Sequence, residues 1–272
     1  MFATDRAMPA HELAIAAEER GFHSVYVPEH THIPISRETP PATGGDELDE
    51  GYARTMDPLI SLAAAATVTS TILLGTAVAL PAQHDPIAYA KAVATLDRIA
   101  GGRVVLGVGF GWNKEELRDH GVGFKERRAV VREHMLLAQA LWRDEVASFE
   151  GDHASLSPSW SWPKPVQQPR PRTLLGGGAG PKLFADIAEW CDGWIPFGGT
   201  GLKEQLPELR RVVADAGRDP AELHIVPMGV FPTPEKMAYY ESLGVTECVL
   251  RVPSGPADDV LPVLDSYVSY LD

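Results

Sequence analysis

The sequence predicts an α/β protein that forms one domain over residues 1–272, a (β/α)8 or TIM barrel. A helical pattern, a glycine and a short apolar run rich in β-branched residues recur along the whole chain, as is typical of parallel sheets. Seven such strands can be counted, each followed by a helix. The length is close to the roughly 250 residues of such barrels. An open, doubly wound sheet shows the same alternation, but no region resembles a second domain, so we favour the barrel.

The first half of the chain contains three strands, each preceded by a helix with an apolar stripe. Gly21 is placed to end the first helix, and Asp85 followed by Pro86 is placed to begin the third. The predicted helices are 9–20, 59–68 and one that starts at residue 85, and the predicted strands are 22–27, 72–80 and 103–108.

The second half continues the same alternation. An eighth strand should precede the first helix, where only residues 1–4 are available, so the first strand is expected to be truncated or absent. The predicted helices are 126–142, 181–191, 202–216, 235–243 and 258–271, and the predicted strands are 173–175, 193–195, 224–230 and 248–252.

Two long segments interrupt the alternation. Residues 33–57 follow the first counted strand and are rich in proline and glycine. Loops at the carboxyl ends of barrel strands cover active sites, so we expect a mobile lid that becomes ordered over a ligand. Residues 150–172 carry Trp160 and Trp162, and extended packing along the barrel wall is favoured there over a substrate contact.

Composition and charge exclude several functions. The net charge of −13 repels nucleic acid. The longest apolar run, residues 59–68, is far shorter than the roughly 20 residues of a membrane span, and no export signal is recognisable. Cys191 and Cys248 have no companion ligands at metal spacing and suggest buried thiols in a reducing compartment. We therefore expect a soluble, cytoplasmic enzyme with a small-molecule substrate and no membrane or nucleic-acid partner.

Glycine clusters follow three of the predicted strands. Residues 176–180 (GGGAG) join a strand to a helix, where open backbone N–H groups and a helix N-terminus can bind a phosphate. The spacing matches neither a Walker loop nor a dinucleotide fingerprint. A tight turn explains either this loop or residues 107–111 alone. Together with Gly198 and Gly199, they favour a ligand with a phosphate tail.

His30 and His32 form an HxH pair at a strand exit, which in other barrels indicates a metal hydrolase. A catalytic zinc site needs about three protein ligands, and no other histidine stands convincingly at a strand's carboxyl end; His84 is nearest and is expected to face solvent or cap the helix. We therefore expect no metal. Glu29, directly before His30, favours proton chemistry at this strand exit.

These residues resemble the luciferase-like flavin and deazaflavin oxidoreductases, particularly the branch that uses coenzyme F420. The resemblance covers residues 4–217, and the run from Leu96 to Trp112 is its most specific part. The matching segments are VPEHTHIP (27–34), GTAVALPAQHDP (75–86), residues 90–116, WSWPKPVQ (160–167), GGGAGPK (176–182) and CDGWIPFGG (191–199).

The resemblance implies a closed barrel with the cofactor ring at the carboxyl ends of the strands, a homodimer, and His30 as the candidate acid or base. It also implies a non-prolyl cis peptide between Ala77 and Val78. Some relatives place a catalytic glutamate at the position of Trp112, so sugar-phosphate chemistry is not favoured here. The expected cofactor-binding residues are Glu29, Thr76, Ala77, Val78, Gly109, Trp112, Gly176, Gly177, Gly178, Ala179, Gly180, Gly198 and Gly199.

Three functions follow in order of preference. The first is hydride transfer between F420 and a small, apolar organic substrate. The second is an FMN-dependent monooxygenase, which would share the fold and the phosphate loop. The third, of a different class, is a protein that binds flavin or deazaflavin without turnover.

Overall fold

A computed structural model describes residues 1–40, 47–245 and 247–271. The strands are β1 (Ser24–Val27), β2 (Leu73–Ala79), β3 (Val104–Val108), β4 (Ala147–Glu150), β5 (Ser155–Ser159), β6 (Arg172–Gly176), β7 (Gly193–Ile195), β8 (His224–Ile225), β9 (Met228–Val230) and β10 (Val249–Leu250). The helices are α1 (Ala10–Glu19), α2 (Glu50–Ala53), α3 (Pro58–Ala66), α4 (Pro86–Ile99), α5 (Lys114–Asp119), α6 (Arg127–Arg143), α7 (Pro181–Trp190), α8 (Leu202–Asp215), α9 (Pro234–Ser242) and α10 (Ala257–Tyr267).

Six strands form one parallel sheet in the order β1-β2-β3-β6-β7-β8. Beyond β8, the Met228 N–H donates to the Pro196 carbonyl at 2.8 Å, so β9 continues along β7. β10 then pairs in parallel with β9. Across the described residues, no ladder joins β10 to β1. The parallel α/β sheet is confirmed, and closure of the full eight-stranded barrel is not established by these ladders.

Each face of the sheet carries a layer of buried side chains: an inner cluster on one face and an outer cluster on the other. The inner cluster takes Tyr26 from β1, Val105 from β3, Leu174 from β6, Ile195 from β7 and Val226 from beyond β8. Val249 of β10, which pairs with β9 outside this sheet, packs against the same cluster. The outer cluster packs the sheet against the helices. The strands therefore curve around a common interior.

The helices begin where the sequence supplies caps. The Asp85 carboxylate accepts from the N–H groups of Ile87 and Ala88, and Pro86 occupies the first turn of α4. Asp57 caps α3 in the same way by accepting from the Ile60 N–H. These caps fix where α3 and α4 begin.

The observed elements agree with the expected alternation, with three differences. The expected strand 224–230 is broken because Pro227 has no N–H to donate to a ladder. Residues 150–172 are not irregular throughout, since β5 lies there and pairs with β4 as an antiparallel hairpin. The short helices α2 and α5 were not predicted, because neither is long enough to show a periodic apolar stripe.

The amino terminus contains no strand in the described structure. Thr4 forms only an isolated antiparallel bridge with Thr55, and the Met56 N–H donates to the Ala3 carbonyl at 2.7 Å. The expected absence of a regular first strand agrees with this arrangement. Of the helices in the described ranges, none is both long and apolar enough to cross a bilayer.

Candidate active site

His30 lies three residues beyond β1, at the edge where the parallel strands end. Its side chain is 6% exposed, and its Nδ1 lies 2.9 Å from Oε2 of Glu116, which is 1% exposed. Glu116 comes from α5, which follows β3 and is capped by Asn113, whose side chain accepts from the N–H groups of Glu115 and Glu116. The segments that follow β1 and β3, which lie on either side of β2 in the sheet, thus bring the two side chains together.

The Glu116 carboxylate determines which imidazole nitrogen carries the proton. An ionised carboxylate only accepts hydrogen bonds, so Nδ1 of His30 is the donor. The other carboxylate oxygen accepts from the Thr31 N–H at 3.2 Å, which fixes the carboxylate in place. Within the described residues, Nε2 of His30 has no hydrogen-bond partner. In the neutral imidazole, Nε2 therefore holds a lone pair that can accept a proton.

Aromatic rings surround this imidazole. The ring centroids of Tyr52 and Trp112 lie 5.2 and 5.9 Å from that of His30, and they lie 5.7 Å from each other at an interplanar angle of 83°. Phe2 packs on Tyr52 at 4.6 Å. The imidazole therefore lies in largely aromatic surroundings.

The predicted lid segment contributes directly to these surroundings. Tyr52 belongs to α2, and residues 38 and 39 are anchored by the buried Glu115, which accepts from both N–H groups at 2.7 and 3.2 Å. Burial raises the pKa of Glu115, but hydrogen bonds led by the Thr39 hydroxyl outweigh it and lower the pKa overall. Pro41 and the glycine pair 44–45 lie outside the described residues, and mobility of the segment stays a prediction.

The Glu29 carboxylate contacts residues that directly follow β2. Its Oε2 accepts from the Leu80 N–H at 2.5 Å, and its Oε1 lies 2.6 Å from Nε2 of His84. His84 was expected to face solvent or cap a helix; it pairs with Glu29 instead, because the turn at Pro81–Gln83 follows Leu80, whose N–H binds the same carboxylate. Burial lowers the pKa of His84, but the hydrogen bond and charge of Glu29 outweigh it, so the pKa is raised.

The end of β2 brings three of the expected cofactor residues together. The peptide between Ala77 and Val78 is cis, as predicted. A Cβ on Gly109 would lie 2.4 Å from Cγ2 of Val78, and one on Gly176 would lie 3.1 Å from its Cγ1. Val78 therefore fills the space that these two glycines leave. Thr76 is fully buried, and its hydroxyl donates to the Gly107 carbonyl at 2.8 Å.

The expected phosphate loop forms an exposed connection between β6 and α7. Gly178 and Ala179 are exposed, and a Cβ on Gly178 or Gly180 would meet nothing within 4 Å. Gly180 occupies the N-cap of α7 without a side-chain cap. The loop is held at its start by the Trp194 indole, which donates to the Gly177 carbonyl at 3.0 Å. Open N–H groups and a helix N-terminus suit an anion.

The last pair of expected glycines lies at the end of β7. The Gly198 N–H donates to the Met228 carbonyl at 2.8 Å. A Cβ on Gly199 would lie 2.2 Å from the Tyr240 hydroxyl, so this glycine permits close packing on α9. Both positions lie at the same edge of the sheet as His30.

The HxH pair is divided between two carboxylates. His30 contacts Glu116, whereas Nε2 of His32 lies 3.1 Å from Asp119 on the exposed side of α5. In the described ranges, no three His, Cys, Asp or Glu side chains are arranged to hold a metal ion.

Sequence reasoning missed Glu115 and Glu116. Both follow Asn113, a good N-cap residue, in the segment that carries the family resemblance, and this was the only available signal. Their partners lie 77 and 86 residues away in the chain, so the pairing could not be derived from local pattern.

Comparison with known proteins places these features in a family. A sequence profile described as luciferase-like monooxygenase matches residues 3–242. An uncharacterised protein of Mycobacterium tuberculosis is 44% identical over 274 residues, covering 100% of this chain and 96% of its own length. The F420-dependent glucose-6-phosphate dehydrogenase of Kineococcus radiotolerans is 31% identical over 226 residues, covering 78% of this chain and only 60% of its own length.

Solved structures show the same fold. The monooxygenase RslO1 from Streptomyces bottropensis superposes with a TM-score of 0.79 at 21% identity, covering 97% of this chain and 92% of its own. An F420-dependent secondary alcohol dehydrogenase, in complex with an F420-acetone adduct, gives a TM-score of 0.76 at 19% identity and covers 98% and 96% of the two chains. At such identities, the likeness supports the fold alone.

Proposed function

Because the chain belongs to the luciferase-like monooxygenase family, we propose that it is an F420-dependent oxidoreductase that transfers hydride to or from a small, apolar organic substrate. The general statement that it is a flavin- or F420-dependent oxidoreductase follows from its relatives. The finer proposal depends on one observation, the buried contact between His30 and Glu116. This pair provides a proton acceptor at the edge of the sheet where the cofactor ring is expected.

The residues at this edge fit a flat ring with a phosphate tail. The phosphate would lie against the N–H groups of residues 177–180 and the N-terminus of α7. The ring would lie by Val78, whose side chain fills the space left by Gly109 and Gly176. When bound, the deazaflavin supplies the site for hydride gain or loss.

His30 carries out the proton step. In oxidation of an alcohol, Nε2 of His30 takes the hydroxyl proton as hydride leaves the carbon, and in the reverse direction the protonated ring returns it. Glu116 holds the Nδ1 proton and stabilises the imidazolium that forms. Tyr52 and Trp112 exclude water and orient the substrate. A secondary alcohol or its ketone is the substrate class that these groups serve best.

An FMN-dependent monooxygenase is the second candidate, since solved neighbours of the same fold include an FMN-bound monooxygenase. Titration of the pure protein with F420 and with FMN, followed by fluorescence quenching, separates the two. Tighter binding of F420, with loss of its absorbance on addition of propan-2-ol, is the expected result. Preference for FMN would refute the F420 assignment, and binding without turnover over a panel of alcohols and ketones would favour the non-catalytic alternative.

We further propose that the strands form a closed barrel and that two copies of the chain associate. The inner cluster, which contains Tyr26 of β1 and against which Val249 of β10 packs, supports closure. For the dimer, α3 has no charged residue and presents Ile60, 72% exposed, and the neighbouring helix α4 also has an exposed isoleucine, Ile87. Ile60→Glu should give a monomer in light scattering. The free thiols Cys191 and Cys248 support a cytoplasmic location.

A further inference from the structure

Two positively charged side chains share one aromatic ring between α5 and α6. Nζ of Lys114, at the start of α5, lies 5.3 Å from the centroid of the Phe124 ring. Cζ of Arg127, at the start of α6, lies 3.7 Å from the same centroid. Such contacts hold a cation in place without neutralising its charge. Lys114, Phe124 and Arg127 are called the cation cluster below.

Neither cation has a carboxylate partner in the part of the chain that the structure describes. Of the guanidinium nitrogens of Arg127, only Nη1 has an acceptor, the Phe124 carbonyl, and Nε is buried without one. Nζ of Lys114 contacts only the ring. The adjacent Glu126 carboxylate lies close to Gly123, where a Cβ would be 2.7 Å from its Oε2. In a chain with 37 acidic residues against 24 Lys and Arg, two neighbouring cations without a counter-charge indicate a site for an anion from outside.

The position of Arg127 makes its unpaired charge unfavourable. Arg127 and Arg128 occupy the first two positions of α6, whose first turn contains no acidic residue. The helix dipole disfavours cations at this end. Burial lowers the pKa of Arg127, and the charge of Arg128 lowers it further. A bound anion would offset all of these effects.

The cation cluster is joined to the expected phosphate loop by Phe110. A Cβ on Gly177 would lie 3.8 Å from Cε2 of Phe110, and Cζ of Arg128 lies 4.2 Å from the centroid of the Phe110 ring. Arg128 pairs with Asp186 of α7, so its charge is already compensated. Arg127, next to it in α6, keeps a free charge. A ligand whose phosphate lies against the loop therefore reaches the cation cluster by extending across Phe110.

We propose that Lys114 and Arg127 bind a carboxylate on the part of the coenzyme that extends beyond its phosphate. The inference rests on the proposed function, since it concerns the same ligand. F420 carries carboxylates beyond its phosphate, whereas FMN ends at the phosphate, so the cation cluster selects F420. A carboxylate has one oxygen for the free Nη2 of Arg127 and another for Nζ of Lys114.

The first test compares the affinity of variants for F420 and for FMN by fluorescence quenching. We expect Arg127→Gln to weaken F420 binding about tenfold, and Lys114→Gln, at an exposed position, to weaken it about threefold. Arg127→Lys keeps the charge and should restore most of the affinity. The control is Arg98→Gln, which removes an exposed arginine from the last turn of α4, at the opposite edge of the sheet. All four variants should bind FMN as the unaltered protein does, which also shows that they are folded.

The second test needs no coenzyme and uses triglutamate as the probe. Because Nε of Arg127 is buried, its proton should exchange slowly with water and give an NMR signal, identified by its loss in Arg127→Lys. We expect triglutamate to shift this signal saturably in the unaltered protein and in Arg98→Gln, and to shift it less in Lys114→Gln. Sodium chloride at the same ionic strength should leave the signal in place.

Equal F420 affinities of Arg127→Gln, Lys114→Gln and Arg98→Gln would overturn the proposal. An Arg127 signal that does not respond to triglutamate, or that responds equally to chloride, would overturn it as well. Failure of the proposed function gives a different result: the unaltered protein then prefers FMN to F420. In that case the proposal falls with the proposed function, even where triglutamate shifts the Arg127 signal.

Discussion

Replacing Glu116 with glutamine tests the proton chemistry directly. The amide keeps an oxygen for the Thr31 N–H, but its NH2 group cannot accept from Nδ1 of His30. The imidazole should therefore move its proton to Nε2, where it blocks the lone pair that the reaction needs. A hydrogen bond to a charged group contributes about 1.5–3 kcal/mol, and 1.36 kcal/mol is a factor of ten in rate. We expect turnover to fall by about 10- to 100-fold.

Two assays measure this change. The first follows oxidation of propan-2-ol through the absorbance of F420. The second requires no substrate: long-range ¹H–¹⁵N correlation spectra report which ring nitrogen of His30 carries the proton. In Glu116→Gln the proton should appear on Nε2, and in the unaltered protein at neutral pH on Nδ1.

The control is Glu133→Gln. Glu133 is also buried, but it accepts from the N–H groups of residues 152–154, and the described residues show no hydrogen bond between it and His30. Both variants should lose stability, and only Glu116→Gln should change the His30 spectrum. Retention of the Nδ1 proton in Glu116→Gln, with undiminished turnover, would refute the orienting role of Glu116.

Three further predictions concern pH, anchoring and the phosphate loop. The pKa of His84 is raised above 6.5 in the folded protein, so its pairing with Glu29 stabilises the fold fully below pH 6.5 and is lost as the pH rises through the folded value. The melting temperatures of His84→Gln and the unaltered protein should therefore converge at alkaline pH. A difference in melting temperature that does not change with pH would contradict this. Asp97→Ala leaves the backbone N–H groups of Val166 and Gln167 unpaired and removes one of the two hydrogen bonds of the Gln167 side-chain amide. This should cost about 2–4 kcal/mol in urea unfolding, whereas a loss below about 1 kcal/mol would show that water replaces the carboxylate. Gly178→Asp should weaken F420 binding at least tenfold through charge repulsion, while Gly178→Ala, whose Cβ meets nothing within 4 Å, should bind normally; equal affinities would remove the loop from the site.

The repeating elements could be predicted from the sequence because each carries its own local signal. Asp85 and Pro86 mark the start of α4 through groups that lie within one helical turn. The break between β8 and β9 follows from Pro227, which has no backbone N–H to donate to a ladder. This break could therefore have been predicted from the sequence. The cis peptide before Val78 came from family resemblance rather than from any local pattern.

The contacts of the site were harder to predict because they join segments far apart in the chain. Glu116 meets His30 across 86 residues, and Tyr52 reaches the same imidazole from a helix of four residues. Neither pairing has a periodic signature. The sheet order, which places β1 and β3 on either side of β2, brings Glu116 to His30, and strand order is a property of the whole fold.

The adjacent residues Glu29 and His30 illustrate how one strand exit serves two purposes. Their side chains have separate partners: Glu29 turns to Leu80 and His84, and His30 turns to Glu116. The first set of contacts ties the end of β1 to the chain that leaves β2, and the second fixes the proton on the imidazole. Because each oxygen of Glu29 already has a hydrogen-bond partner, we expect its effect on a cofactor to act through the position of Leu80 and of Val78, two residues earlier. Any substitution at Glu29 should therefore change cofactor affinity more than the tautomer of His30, whereas substitution at Glu116 should do the reverse.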